Sequence, residues 1–141
     1  IIWNGLRANQ EKEGSCFVSA LDIEDALKSA EILFAAEEYK GANNRAYYAI
    51  FYSINAVHAL SGKAYKRHKD AIGNFNKDYV KTEIFSRETG RKISEAEEIR
   101  HVSDYDDFYI ASCEETARQI EVAGEFIQMV EKYCMNQLEN G

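Results

Sequence analysis

Apolar residues recur every three or four positions over most of the chain, which is the spacing of one face of an α-helix. The first such segment spans residues 18–39. Its apolar positions are spaced four, three and four residues apart: Ile23, Leu27, Ala30 and Phe34. We predict that this helix stops at Gly41, because glycine accepts the left-handed conformation that commonly ends a helix. Asn43 or Asn44 would then cap a second helix that continues to about residue 60.

Three more helices are predicted in the second half of the chain, over residues 69–81, over residues 92–105, and from Ser112 to about residue 137. The last one opens on Ser112-Cys113-Glu114-Glu115, the pattern of a capping box. Its apolar stripe is Ala117, Ile120, Ala123, Ile127, Val130 and Cys134. Short connections favour antiparallel neighbours, so the predicted fold is an all-α, antiparallel bundle of about five helices.

The chain has 141 residues, enough for one domain with one core. It contains no proline, which is compatible with long helices. Residues 1–16 have weak periodicity and are predicted to be an N-terminal extension to a helical domain over residues 17–141. No apolar run approaches the roughly 20 residues that a membrane helix needs, so no membrane contact is expected.

Charge is unevenly distributed along the chain, although its formal net charge is −7. Residues 62–92 carry nine Lys and Arg against four acids, whereas the rest carries eight against twenty. Within this segment a basic run interleaves cations with Tyr65, as phosphate-binding surfaces do: Lys63, Lys66, Arg67 and Lys69. The segment is therefore either a nucleic-acid contact or simply a solvated basic loop.

Three cysteines are widely spaced and form no CxxC motif, which favours a reducing cytoplasm over a disulfide framework. Cys113 and Cys134 fall on or beside the apolar face of the last helix and are interpreted as small core residues. No HExxH, P-loop or GxGxxG motif occurs, and neither a metal site nor a cofactor is expected.

Arg100 occupies an apolar helical face that begins with Ile93 and Ala96. An arginine there must be paired, solvated in a cleft or held at an interface, because burying an isolated charge is too costly. Asp104 and Tyr105 follow one turn later. The three residues form either a binding or catalytic site, or an Arg–Asp pair that fastens this helix to the bundle.

A second polar stripe lies on the second helix, where helical spacing aligns Arg45, Tyr48, Tyr52 and Asn55. It is either a buried hydrogen-bond network or part of a cleft in which tyrosines stack on bases and arginines hold phosphates. We expect Arg45 and Arg100 to reach the same cavity. A neighbouring, more apolar face is predicted to pack in the core: Tyr47, Phe51, Ile54 and His58.

Three motifs in this order resemble the HEPN (higher eukaryote and prokaryote nucleotide-binding) family. They are Asn44-Arg45-Ala46-Tyr47-Tyr48-Ala49 with Phe51-Tyr52, then Phe75-Asn76-Lys77-Asp78-Tyr79-Val80-Lys81-Thr82, and Arg100 with Ser103-Asp104-Tyr105. The chain looks most similar to the small prokaryotic branch often encoded beside minimal nucleotidyltransferases. The resemblance implies a homodimer that binds RNA or a nucleotide, paired with such a nucleotidyltransferase as in a toxin–antitoxin system.

Many HEPN proteins are metal-independent ribonucleases whose signature is Arg, four to six residues, then His. Here the corresponding window after Arg100 holds Tyr105, Asp106 and Asp107 and no histidine. If the chain is such a ribonuclease, Arg100 would stabilise charge, and Asp104 or Tyr105 would transfer protons. The alternative is a non-catalytic protein-interaction or scaffold module whose Arg/Tyr cluster is structural.

Overall fold

The computed structural model describes residues 15–140 as a helical bundle. Its helices are α1 (Ser15–Ala35), α2 (Tyr39–Leu60), α3 (His68–Phe75) with a π-helical turn (Asn76–Val80), α4 (Arg87–Tyr105) and α5 (Cys113–Asn140). The predicted all-α fold is therefore confirmed for this part of the chain. The predicted extension, residues 1–16, lies outside the described residues except for Ser15 and Cys16, which begin α1.

Helix α2 is the centre of the bundle and packs against α1, α3, α4 and α5. Its predicted apolar face is buried as expected: Tyr47, Phe51, Ile54 and His58. Alanines at three further buried positions let neighbouring helices approach closely: Ala42, Ala46 and Ala49. Because α2 is enclosed on most sides, a polar side chain on it must either find a partner on a neighbouring helix or face a gap between helices.

An aromatic cluster fixes α3 and the π-helical turn against α5. Phe75 is fully buried, and its ring stacks on Tyr79 at a centroid distance of 5.3 Å. It also lies 5.2 Å from Phe85 and 5.9 Å from Phe126 of α5. This packing holds α3 in place. The basic loop that precedes α3 is therefore attached to a rigid part of the bundle at its C-terminal end.

The connection between α1 and α2 differs from the prediction. Gly41 does not stop a helix but lies in the first turn of α2, and Glu37 takes the left-handed conformation with φ of 61°. A Cβ on Gly41 would lie 3.3 Å from Leu33 Cδ1, so this glycine permits close packing between α1 and α2. The residue before α2 is Glu38, and the predicted caps Asn43 and Asn44 are inside the helix.

Helices α4 and α5 begin where serine side chains cap them. Ser86 Oγ accepts from the Thr89 N–H at 3.2 Å, so α4 starts five residues before the predicted position 92. Ser112 Oγ accepts from the Glu115 N–H at 3.1 Å, which confirms that half of the capping box. The Glu115 carboxylate, however, bonds to the Tyr109 hydroxyl.

Two predicted core positions on α5 are wrong. Cys134 is buried as expected, but Cys113 is exposed, because it lies at the very start of the helix. Ala117 is exposed too, and Thr116 and Gln119 are buried in the first two turns instead.

Gly90 of α4 packs closely against the π-helical turn. A Cβ there would lie 3.0 Å from Val80 Cγ1, whereas a Cβ on Gly73, in α3, would meet no atom within 4 Å. We expect Gly90→Ala to lower the free energy of unfolding by about 1 kcal/mol, because overpacking outweighs the gain in helix propensity. Gly73→Ala is the matched control and should raise it by about 0.5 kcal/mol. Denaturant titrations measure both, and a stabilised Gly90→Ala would contradict the described contact.

Candidate functional site

Two consecutive asparagines on α2 join that helix to α4. Asn43 Nδ2 donates to Ser103 Oγ at 3.1 Å, in a buried contact. Asn44 Nδ2 donates to both carboxylate oxygens of Asp104, at 2.9 and 3.2 Å. The Asn44 Oδ1 accepts from Arg45 Nε at 3.0 Å. This ladder fixes the rotation of α4, so the polar face predicted on α4 faces the polar stripe predicted on α2.

Arg45 and Arg100 lie against the same tyrosine ring. Arg45 Cζ lies 4.8 Å from the centre of the Tyr48 ring, and Arg100 Cζ lies 5.8 Å from it. Arg100 Cζ is closer still to Tyr47, at 4.7 Å. Contacts of this kind are attractive because the face of an aromatic ring carries negative charge. We call Arg45, Tyr47, Tyr48, Arg100 and the histidine described next the arginine–tyrosine cluster.

The fifth member of the cluster is His68, at the first position of α3. Its ring stacks on Phe51 at 3.9 Å, and its Nδ1 lies 3.0 Å from the Tyr47 hydroxyl. It also packs edge-on to Tyr48 at 5.5 Å. Since Tyr47 and Tyr48 contact Arg100 as well, an imidazole and a guanidinium lie on the same two rings, although 32 residues separate them in sequence.

Sequence spacing gave no sign of His68 because the HEPN signature places the histidine shortly after the arginine, with four to six residues between them. Here α3 delivers it from a different part of the chain. His101, which neighbours Arg100 in sequence, is exposed and packs on Tyr105 at 5.0 Å. The available signal was the position of His68 inside the basic run, directly after Arg67.

The environment of the cluster keeps His68 neutral and Arg100 charged. Burial lowers the pKa of His68, and the positive charge of Arg100 lowers it further, against the opposing effect of Glu97. Burial also raises the pKa of the Tyr47 hydroxyl, to about 12. The pKa of Arg100 is raised, because the effects of Tyr47, Tyr48 and Asp104 outweigh the effect of its burial. At neutral pH the site therefore combines a neutral imidazole with a cation.

Arg100 still has an unused donor. Its side chain is 14% exposed, and Nη1 pairs with Asp104 Oδ2 at 3.5 Å. Its Nε is buried and has no hydrogen-bond partner within residues 15–140. The Oδ1 of Asn43 is likewise buried and without one in that range. Buried polar atoms usually find partners, so each of these two atoms retains a hydrogen bond that an ordered water or a polar ligand could complete.

The remaining predicted site residues are distributed around the cluster. Asp104 bonds Asn44 and Arg100, so it faces the cluster, whereas Tyr105 is 67% exposed. Tyr52 packs on Tyr48 at 5.7 Å, and Asn55 is half-buried. The predicted basic residues lie at or just before the start of α3: Lys63, Lys66, Arg67 and Lys69.

The basic run is partly held in place. Lys63 pairs with Asp78 at 3.6 Å, while Lys66, Arg67 and Lys69 are exposed. Tyr65 packs edge-on to the buried His58 at 4.7 Å, which pins the loop to the bundle. The loop leads directly into His68, so its exposed cations are close in sequence to the arginine–tyrosine cluster.

Neither a metal site nor a membrane span is found in the part of the chain that the structure describes. No three His, Cys, Asp or Glu side chains come together there as possible metal ligands. None of its helices has the length and apolar character needed to cross a bilayer.

Two of the similar proteins carry toxin-like names. A 30% identical UPF0332 protein of Thermotoga maritima aligns over 77% of this chain and 82% of its own. Two proteins of Methanocaldococcus jannaschii, both named "putative toxin", are also similar. One is 28% identical, over 80% of this chain and 77% of its own length. The other is 34% identical, over 58% of this chain and 61% of its own length.

The family comparison agrees with the order of motifs and with the fold. The HEPN domain model matches residues 24–133, which include all of α2, α3 and α4 and therefore the whole arginine–tyrosine cluster. The chain belongs to the HEPN domain family.

Proposed function

We propose that this protein binds single-stranded RNA, with backbone phosphate held at the arginine–tyrosine cluster. The observation that carries the proposal is the meeting of Arg45 and Arg100 on Tyr48, with a buried donor of Arg100 still unused. Arginine recognises phosphate through several donors at once, and tyrosine rings offer stacking surfaces for bases. The exposed cations beside His68 extend the same positive surface along the chain of a bound RNA.

The biological setting that we propose is a toxin–antitoxin pair. The names of the Methanocaldococcus relatives support a toxin role, and the resemblance to the branch encoded beside minimal nucleotidyltransferases supports such a partner. In this setting the protein acts in the cytoplasm as a homodimer. The nucleotidyltransferase restrains it, and RNA is its target.

His68 favours a second, catalytic function, which is metal-independent cleavage of the bound RNA. Cleavage needs a base for the 2′-hydroxyl, an acid for the leaving oxygen and a cation for the charged transition state. A neutral His68 suits the base and Arg100 the cation, and the leaving oxygen would take its proton from solvent water. In the tautomer that serves as base, His68 Nδ1 donates to the oxygen of the protonated Tyr47, which orients the imidazole and leaves Nε2 to accept the 2′-hydroxyl proton. Asp104 is already engaged by Asn44 and Arg100, and we assign it to positioning rather than to proton transfer.

A scaffold function is the competing interpretation. The hydrogen bonds from α2 to α4 hold the bundle together, and a purely structural Arg100 would explain the same ring contacts. Stability separates the two, because a structural cluster would lose folding free energy when Arg100 is replaced, whereas a binding cluster would lose affinity.

Salt-dependent binding tests the RNA proposal directly. Binding of a fluorescent 12-nucleotide RNA, measured by anisotropy, should weaken with added salt. The variant Lys66→Gln/Lys69→Gln should reduce the slope of log K against log salt by about 1.4, since each lost phosphate contact contributes about 0.7 on single strands. The control variant Lys28→Gln/Lys132→Gln removes two exposed lysines from α1 and α5 and should leave the slope unchanged. No binding by the unaltered protein, or equal slopes for both variants, would contradict the proposal.

A further inference from the structure

The loop between α4 and α5 presents the most exposed apolar side chains in the described part of the molecule. Phe108 is 94% exposed and Ile110 is 88% exposed, and Tyr105 precedes them at 67%. An isolated exposed apolar residue needs no explanation, but three within six residues form a patch, and such patches mark interaction sites.

The loop is fixed in shape. The Asp106 carboxylate accepts from the Phe108 N–H at 2.9 Å, and the Asp106 carbonyl accepts from the Tyr109 N–H at 3.2 Å. That carbonyl also accepts from Lys40 Nζ of α2, at 3.4 Å. The Tyr109 hydroxyl is tied to Glu115 on α5. A loop held at both ends loses little conformational freedom when it binds, so Phe108 and Ile110 are already arranged for contact.

The charge of the loop restricts what can cover it. Asp106 and Asp107 lie between the exposed aromatic residues Tyr105 and Phe108, and both are exposed. Two adjacent carboxylates among the apolar side chains repel phosphate, which disfavours both nucleic acid and anionic lipid as the occupant.

A second copy of this chain also fits this loop poorly. Contact between the loops of two copies would bring together four exposed carboxylates, Asp106 and Asp107 from each copy. The chain's own apolar recess between α4 and α5, lined by Ile93, Phe126 and Met129, carries both Lys92 and Glu125, so the two charges cancel and it offers no net positive rim to Asp106 and Asp107.

We propose that the Phe108 loop, residues 105–110, docks a different protein, whose surface has an apolar pocket with a rim of Lys and Arg. Phe108 and Ile110 would enter the pocket, and Asp106 and Asp107 would face the basic rim. Buried aromatic anchors supply most of the energy of such contacts, while rim charges guide association and select the partner. The inference does not depend on RNA binding at the arginine–tyrosine cluster.

Photo-cross-linking in cells tests this docking surface. The full chain carries p-benzoylphenylalanine at position 108, and the control carries it at position 84, where Ile84 is 52% exposed in the basic segment. We expect a single protein to be captured from position 108 and not from position 84. Combining the probe with Asp106→Asn/Asp107→Lys should lower the yield about tenfold or more, because like charges would now meet at the rim. Asparagine at 106 keeps the oxygen that accepts from the Phe108 N–H, so the turn is retained.

The captured protein is then identified, purified and titrated against the unaltered chain. We expect Phe108→Ala and the charge variant each to raise Kd at least tenfold and added salt to weaken binding, with circular dichroism showing intact helices. Capture of RNA, of a second copy or of another part of the same chain would overturn the proposal. So would equal capture from positions 108 and 84, no capture at all, or an unchanged Kd for either variant.

Discussion

Replacing Arg100 with methionine is expected to raise the Kd for RNA about 10- to 100-fold, since a hydrogen bond to a charged group is worth about 1.5–3 kcal/mol. Methionine fills much of the same space against Tyr47 and Tyr48 and removes the charge. Asp104 keeps its hydrogen bonds from Asn44, so no carboxylate is left without a partner. The melting temperature should therefore change little while affinity falls.

Arg118→Met is the matched control for this prediction. Arg118 lies on α5, is 60% exposed and pairs with Glu95 at 3.7 Å. Losing an exposed ion pair costs about 1 kcal/mol or less, and the control should bind RNA like the unaltered protein. A loss of about 3–5 kcal/mol in unfolding free energy for Arg100→Met, with RNA affinity retained, would instead support the structural interpretation of the cluster.

The bundle could be predicted from the sequence because apolar periodicity reports which face of a helix is buried. Tyr47, Phe51 and Ile54 follow that period and are buried, and Arg100 follows it beside Ile93 and Ala96. Helix ends were less predictable, because a residue type that favours a cap position can also lie inside a helix when its side chain binds a neighbouring helix. Asn43 and Asn44 favour caps by their local chemistry, but their amides bind α4 instead.

Only part of the candidate site could be predicted from the sequence, because helical spacing relates residues of one helix and not residues of different helices. Arg45 and Tyr48 lie one turn apart on α2, so spacing alone placed them on one face. For Arg45 and Arg100 the sequence predicts one shared cavity, and the structure brings both side chains to one tyrosine ring, across helices joined by the asparagine ladder between α2 and α4. His68 could not be placed in this way, because its position depends on how α3 packs and not on any helical repeat.

Replacing His68 with glutamine is expected to abolish RNA cleavage while leaving RNA binding nearly intact. Loss of a general base typically costs about 10²- to 10⁴-fold in rate. Glutamine retains a polar group near the Tyr47 hydroxyl but cannot take up a proton at neutral pH. Cleavage of a defined RNA by the purified protein in EDTA gives the rate, and anisotropy on a non-cleavable 2′-deoxy analogue gives the affinity.

His101→Gln is the control for this prediction, because His101 is exposed, adjoins Arg100 in sequence and packs on Tyr105 away from the cluster. The His101→Gln variant should cleave RNA at the same rate as the unaltered protein. Equal cleavage by His68→Gln would remove His68 from the mechanism. Cleavage that persists equally in His68→Gln and Arg100→Met would point to a contaminating nuclease. Loss of both binding and cleavage in His68→Gln would assign His68 to binding.

The dependence of the cleavage rate on pH shows whether His68 acts as a base or is required for another reason. A base works only when unprotonated, so the rate should fall as pH falls through the pKa of His68. Burial and Arg100 both lower that pKa from its ordinary value of 6.5, which places the acid limb of the profile below pH 6.5. Arg100→Met removes one of the two causes and should shift the limb of any residual activity toward higher pH. A limb that stays in place in that variant would mean that the titrating group is not the imidazole beside Arg100.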